Sequence, residues 1–270
     1  MNGEVEEAMD KIDKRKLEDA ARLLENPSWT AQVTNLVGMP LEWAVKRLPN
    51  WASGIISKAT ISAIRAALEL AILTMEPTHQ GSASKWWHRF AVMISGGIGG
   101  FFGLPGLAAE LPVSTTIMLR SIADIARSEG EDLSDIDTKL ACVQVFALGG
   151  PRSHDDSSES GYYAVRLALA RAVSEAAEYI AEKGLAEEGA PILVRLVTRI
   201  AARFEVIVSE KVAAEIIPIV GAVGGATINV LFIKHFQAMA RGHFMVRSLE
   251  RQYGCDEVKR HYDVIAEAHR

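Results

Sequence analysis

Residues 95–124, SGGIGGFFGLPGLAAELPVSTTIMLRSIAD, hold six glycines and two prolines and carry no charge before Glu110. A run of this kind cannot be a hydrated loop. Its apolar side chains gain by leaving water, so it must be buried in protein or in lipid. A second run, residues 216–233, IIPIVGAVGGATINVLFI, has the same make-up. In the first run Gly96 and Gly100 are four apart, as are Gly99 and Gly103; in the second, Gly221 and Gly225 repeat the spacing. Small residues at i and i+4 flatten a helix face and let another backbone come close. The two runs are therefore expected to pack together as a helical hairpin.

About 20 apolar residues are needed to cross a bilayer as a helix. The first run is interrupted by Pro105 and Gly106 and bounded by Glu110 and Arg120; the second is interrupted by Pro218 and bounded by Glu215 and Lys234. Three arrangements stay open: two spanning helices, a hairpin that dips into the bilayer and returns, and a fully buried core. Lys85, Trp86, Trp87 and Arg89 stand directly before the first run. Tryptophans flanked by cations suit a membrane interface, where flat amphipathic rings lie at headgroup level and long cationic side chains reach phosphate. Packing of both tryptophans into a protein core is the alternative.

The rest of the chain reads as helix. Apolar residues recur at helical spacing over residues 2–25, 51–75, 161–183 and 191–213, with no sustained period-two alternation anywhere. Residues 29–47 carry the same pattern but contain Pro40, which predicts a bend or two short helices. Gly130 and Gly184 are placed to end helices, and Gly149-Gly150-Pro151 to break one. A helix over about 229–253 and a charged one over 255–268 close the chain. The expected fold is an all-α, multi-helix bundle organised on the two glycine-rich apolar segments. It forms one domain over residues 1–270, with the helix up to residue 25 peripheral.

A formal charge of −5 argues against a nucleic-acid binder, which would show a basic face. The two cysteines, Cys142 and Cys255, form no framework or metal spacing, which fits a reducing compartment. The charged N-terminal segment has no apolar core of the secretory kind, so a cytoplasmic location is expected. No cofactor motif is found. Gly97-Ile98-Gly99 begins a dinucleotide fingerprint, but Phe102 stands where the last glycine belongs, and no phosphate-binding loop exists. His154-Asp155-Asp156 has ligand types without ligand spacing, so no metal is expected. Ser114, Thr115 and Thr116, with His243, are what the sequence offers a hydrolase reading, without the strand-turn-helix elbow such a nucleophile needs.

Polar candidates remain. Asn229, Phe236, His243 and Glu250 recur every seven residues on one face of the last long helix, with Arg241 beside them. Tyr163 and Arg166 open the helix from residue 161. Arg120 stands alone in an apolar helix, able to hold an anionic headgroup or to pair with Asp124 at i+4. Arg120, Tyr163, Arg166, Asn229, Arg241 and His243 are thus the candidate ligand- or lipid-binding set.

Three segments together resemble the EcsC protein family: GGIGGFFGLPGLAAELPVSTTIMLRSIADIARSEGEDL, ALGGPRSHDDSSESGYYAVRLAL and IPIVGAVGGATINVLFIKHFQAMARGHFMVRSLERQYG. The likeness covers about residues 15–265 and rests on positions such as Gly99, Gly100, Gly103, Pro112, Arg120, Gly149, Tyr162, Arg166, Pro218, Gly221, Gly225, Asn229 and Phe244. It implies a bacterial group named for a gene neighbour of an ABC transporter, with no catalytic residues to carry over. The expected function is that of a non-enzymatic, membrane-associated or lipid-binding protein at the cytoplasmic membrane, an accessory to a transport or secretion system. A soluble helical protein with a buried lipid or small-molecule pocket, in the extreme a hydrolase, is the alternative.

Overall fold

The computed structural model describes residues 9–25, 29–74, 103–150, 161–184, 190–216 and 221–268. The expected interface residues Lys85, Trp86, Trp87 and Arg89 lie outside these, as do Gly96, Gly99, Gly100, Pro218 and His154 to Asp156. Among the described residues the chain forms ten α-helices and no strand. They are α1 (Lys11–Glu25), α2 (Trp29–Val37), α3 (Leu41–Val45), α4 (Ala52–Thr74), α5 (Gly103–Ser128), α6 (Ile136–Gln144), α7 (Gly161–Lys183), α8 (Pro191–Ile216), α9 (Gly221–Tyr253) and α10 (Cys255–Ala268), with a 3-10 turn over Val145–Ala147 after α6.

Local chemistry places the ends. Pro40 and Gly38, the latter at φ 73°, divide the 29–47 segment into α2 and α3, the two short helices that Pro40 predicts. Asp135 caps α6, its carboxylate accepting from the Asp137 amide. Gly130, Gly184 and Gly254 follow α5, α7 and α9 at positive φ. Among the described residues α5 starts at Gly103 and continues through Pro105 and Pro112, within the first glycine-rich run. Pro105 sits in the first turn, where no intrahelical donor is needed; Pro112 costs one hydrogen bond that neighbouring packing absorbs. α9 starts at Gly221, eight residues before the expected Asn229, and is 33 residues long.

α9 is the axis. α1, α2, α5, α8 and α10 pack on it, while α4 lies against α5 and α8. Aromatic rings fill the centre: Phe146, Phe204, Phe232 and Phe236 stack in tilted and edge-to-face pairs with centroids 5.2–6.0 Å apart. α5 runs parallel to α9. Gln237 Nε2 donates to Ser121 Oγ at 2.8 Å, and further along the same direction Arg247 Nε donates to Glu131 at 2.9 Å.

A close helix approach of the kind glycine permits occurs at Gly242. A Cβ added there would lie 2.6 Å from Leu24 Cγ and 3.1 Å from the Ala20 carbonyl oxygen, so α1 lies directly on α9. At Gly225 an added Cβ would meet nothing within 4 Å; Gly96, Gly99 and Gly100 of the first run, expected to face it, lie outside the described residues. Among the described residues no helix is long and apolar enough to cross a membrane.

Candidate functional site

Two polar assemblies sit at opposite ends of α9, each at a place where apolar helices force charges to meet. The first gathers three of the six candidate residues. Arg166, near the start of α7, donates two hydrogen bonds to Glu250 of α9, from Nη1 at 2.6 Å and Nη2 at 3.0 Å. This fork-to-fork geometry suits guanidinium and carboxylate. Tyr163 Oη donates to the same carboxylate at 3.0 Å. Arg166 Nη1 also donates to Tyr162 Oη at 3.3 Å, and Tyr162 Oη lies 2.9 Å from His243 Nδ1. Since Arg166 can only donate, the Tyr162 proton is free to go to His243 Nδ1. The neutral imidazole then carries its own proton on Nε2, which is buried with no hydrogen-bond partner among the described residues.

Glu25, at the end of α1, completes this cluster. Its carboxylate accepts from the first two amides of α7, Gly161 at 3.3 Å and Tyr162 at 3.2 Å, and from Tyr262 Oη of α10 at 2.9 Å. An anion there satisfies donors that the helix start leaves open and complements its dipole. Tyr162, Tyr163 and Tyr262 contact one another with centroids 5.1–5.5 Å apart, and the Arg166 guanidinium lies 5.4 Å from the centres of the first two rings. Burial pushes the phenols of Tyr162, Tyr163 and Tyr262 above their ordinary range. Burial, and then the nearby Arg166 and Arg247 cations, hold His243 well below the usual histidine value. At neutral pH these groups keep their protons where they are. The cluster fastens α1, α7, α9 and α10 together.

Beside it, Glu131 accepts from Arg247 Nε and Nη2 at 2.9 and 3.1 Å, from Thr138 Oγ1 at 3.0 Å, and from Arg251. Burial opposes its charge, but the Arg247 and Thr138 hydrogen bonds and the two arginine charges overcome that and hold its pKa below the usual value.

The other three candidates lie elsewhere. Arg241 is exposed, and Asn229 is half-buried. Asn229 precedes His243 by fourteen residues on one helix, about 21 Å at 1.5 Å per residue. Arg120 stands on α5, and Asp124, four residues on, lies 2.9 Å from Arg127. The four residues expected to line a common pocket, Arg120, Tyr163, Asn229 and His243, therefore do not converge. Nor do Ser114 and His243. With Ser121 level with Gln237 and the helices parallel, Ser114 lies roughly 20 Å from His243 along the axis, and its hydroxyl is bonded to the Leu111 carbonyl.

The second assembly centres on a residue the sequence reading passed over. Lys211 of α8 is 1% exposed. Its ammonium lies 2.8 Å from Glu110 of α5 and 3.2 Å from Glu215 of α8, and 5.5 Å from the centre of the Phe232 ring of α9. Burial works against this cation, but Glu215 and Glu110 outweigh it and raise its pKa. Glu215 itself is raised, by burial ahead of the opposing Lys211 charge. Next to it Trp29 of α2 donates from Nε1 to Glu210 at 2.9 Å and packs edge-on against Phe232 at 5.6 Å. Glu110 and Glu215 are the charges that bound the two glycine-rich runs. A single buried lysine thus joins the two carboxylates that bound the runs, and α3 packs on the same helix α8.

An all-α bundle laid along one long glycine-started helix, with a buried lysine at the foot of two glycine-rich runs, defines the class. The chain belongs to the EcsC protein family, whose model matches residues 41–249. No curated protein matches the chain, and no solved structure does. Tyr162, Arg166, Lys211 and His243 fall within the matched stretch, whereas Glu25 and Tyr262 lie outside it. Sequence could have offered Lys211 through its i+4 carboxylate, Glu215. It gave no sign of Glu110, 101 residues away.

Proposed function

We propose that this protein is a non-enzymatic, membrane-associated helical protein that contacts lipid at the end of the bundle marked by Lys211, Glu110 and Glu215. There it serves as an accessory to a membrane transport or secretion system on the cytoplasmic side. One observation carries the reading: Glu110 and Glu215, the inner boundaries of the two runs, share Lys211. The runs that these two carboxylates bound hold the longest uncharged stretches of the chain, and apolar surface of that extent, where it meets solvent, marks an interaction site; the charged clusters around Glu131 and Glu250 stand at the other end of α9. The link to transport rests on family likeness alone.

Flotation with liposomes tests it. The protein should rise with vesicles of phosphatidylcholine and phosphatidylglycerol at low salt and, in part, at high salt, because apolar contact survives screening. A protein that stays at the bottom with neutral and anionic vesicles at both salt concentrations refutes the reading.

A further inference from the structure

The turn that joins α3 to α4 carries a surface that the membrane reading does not by itself supply. Leu41, Ala44 and Ala52 give this segment its inner side and are buried. Its backbone is compact, with amide bonds from Lys46 to Glu42, Arg47 to Ala44, Leu48 to Val45 and Ala52 to Pro49. On the outer side two tryptophans face water: Trp43 is 61% exposed and Trp51 58%. Leaving two indoles exposed within one turn is costly, since each ring is a large apolar body with one donor at its edge. Lys46 and Arg47 stand three and four residues after Trp43, on its side of the helical turns. Lys58 stands seven residues after Trp51 along α4. All three cations are exposed.

The charge pattern selects the partner. Residues 40–58 carry three cations against one carboxylate, Glu42, in a chain whose formal charge is −5. A basic turn with protruding tryptophans on an acidic protein is complementary to an anionic headgroup layer. The rings sit at the level of the glycerol backbone, and the cations reach the phosphates. Position agrees. α3 packs on α8, and the charge of Glu42 is felt at Glu210, the neighbour of Lys211. The turn therefore lies at the same end of the bundle as Lys211 and the two carboxylates that bound the glycine-rich runs.

We infer that the α3–α4 turn is an anionic-lipid docking surface, with Trp43 and Trp51 entering the interface and Lys46, Arg47 and Lys58 contacting lipid phosphate. This rests on the proposed membrane association and assigns to it a headgroup class and a contact surface. It differs from the tract Lys85–Arg89, which sequence alone put forward.

Two exposed double variants test it, Trp43→Ser/Trp51→Ser and Lys46→Gln/Arg47→Gln, each checked for unchanged helicity and melting temperature. Binding is measured by co-sedimentation with phosphatidylcholine vesicles containing no phosphatidylglycerol or about a third of it. The tryptophan variant should lose on the order of tenfold in partitioning to both vesicle types. The cation variant should lose about fivefold per charge removed, and only with the anionic vesicles. If the wild-type protein binds neither vesicle, the membrane reading falls and this inference with it. If the wild type binds and both variants bind equally well, the inference alone is overturned and the glycine-rich runs make the contact. Self-association of the wild type without lipid, abolished in the tryptophan variant, would overturn it in favour of a protein interface.

Discussion

Replacing Lys211 by methionine keeps most of its volume and removes its charge, and the two carboxylates it joins set the consequence. Glu110 and Glu215, with side chains 21% and 16% exposed, lose the cation that both contact and face each other across a mostly apolar site. Breaking a fully buried pair by removing one partner costs about 3–5 kcal/mol. The partial exposure of the two carboxylates lets water take up some of that, so about 2–4 kcal/mol is expected at neutral pH. The pH dependence is more telling than the size. Glu215 already binds its proton more tightly than an ordinary carboxylate because burial raises its pKa against the pull of Lys211. Without Lys211 it rises further. A carboxylate whose folded-state pKa exceeds its unfolded value stabilises the fold at low pH and loses that contribution as pH rises through the interval between the two. The variant should therefore recover stability on going from neutral pH down towards the ordinary carboxylate range, relative to wild type at each pH. Urea unfolding at constant m-value measures this. Removing all three charges, Lys211→Met with Glu110→Gln and Glu215→Gln, should restore most of the loss. A single variant within about 1 kcal/mol of wild type, an equal deficit at pH 5 and pH 7, or a triple variant no better than the single would each refute this account of the buried lysine.

Two further outcomes test the other end of α9. Arg166→Met should destabilise by about 2–4 kcal/mol, since it leaves Glu250 half-enclosed without its forked partner; Glu250→Gln in that background should cost far less than in wild type, a coupling measured by a double-mutant cycle. His235, held down to about 4 by burial, and His243, held lower than usual by burial and two arginines, stay neutral while the unfolded chain takes protons. Their folded pKa values lie below the unfolded one, so stability is full above about pH 6.5 and falls as the pH drops, by about 1 kcal/mol per histidine between pH 6.5 and 5.5. Glu210 and Glu215 act in the opposite sense, so the measurement is the difference in slope between wild type and His235→Phe or His243→Gln, which should flatten it; unchanged slopes would contradict the assignment.

Most helix ends were legible because they depend on neighbours in sequence. Proline at residue 40, glycine at 130 and 184 and aspartate at 135 act through their own backbone or the next few amides. The starts of α5 and α9 were not, since proline and glycine inside a helix are tolerated only when remote packing supports them, and that support is invisible locally. Tyr163, Arg166 and His243 stood out by type and came together. What completes them, Glu25 and Tyr262, lies 137 and 100 positions from Tyr162, beyond any periodic signal. Glu250 was readable as the next heptad step from His243. Trp43 shows the converse failure. By type it counts among the apolar residues of the segment 29–47, yet it stands 61% exposed; apolar character alone does not say which side of a five-residue helix faces the core.

The polarity of α9 gives the membrane reading its physical sense. Its last turns are bound by Glu131 through Arg247 and Arg251 and by Arg166 through Glu250, and Gly242 brings α1 directly onto its backbone. Its first turns begin with Gly221, Gly224 and Gly225, each about 1 kcal/mol poorer than alanine in a helix, and at Gly225 nothing is packed close by. Local opening is easiest where such interactions are sparse. The end of the helix near Lys211 is therefore the cheaper one to rearrange, and it is the end near which Trp43 and Trp51 protrude. Contact with lipid at that end leaves the network at the other intact, so the bundle can meet a bilayer without unfolding its core.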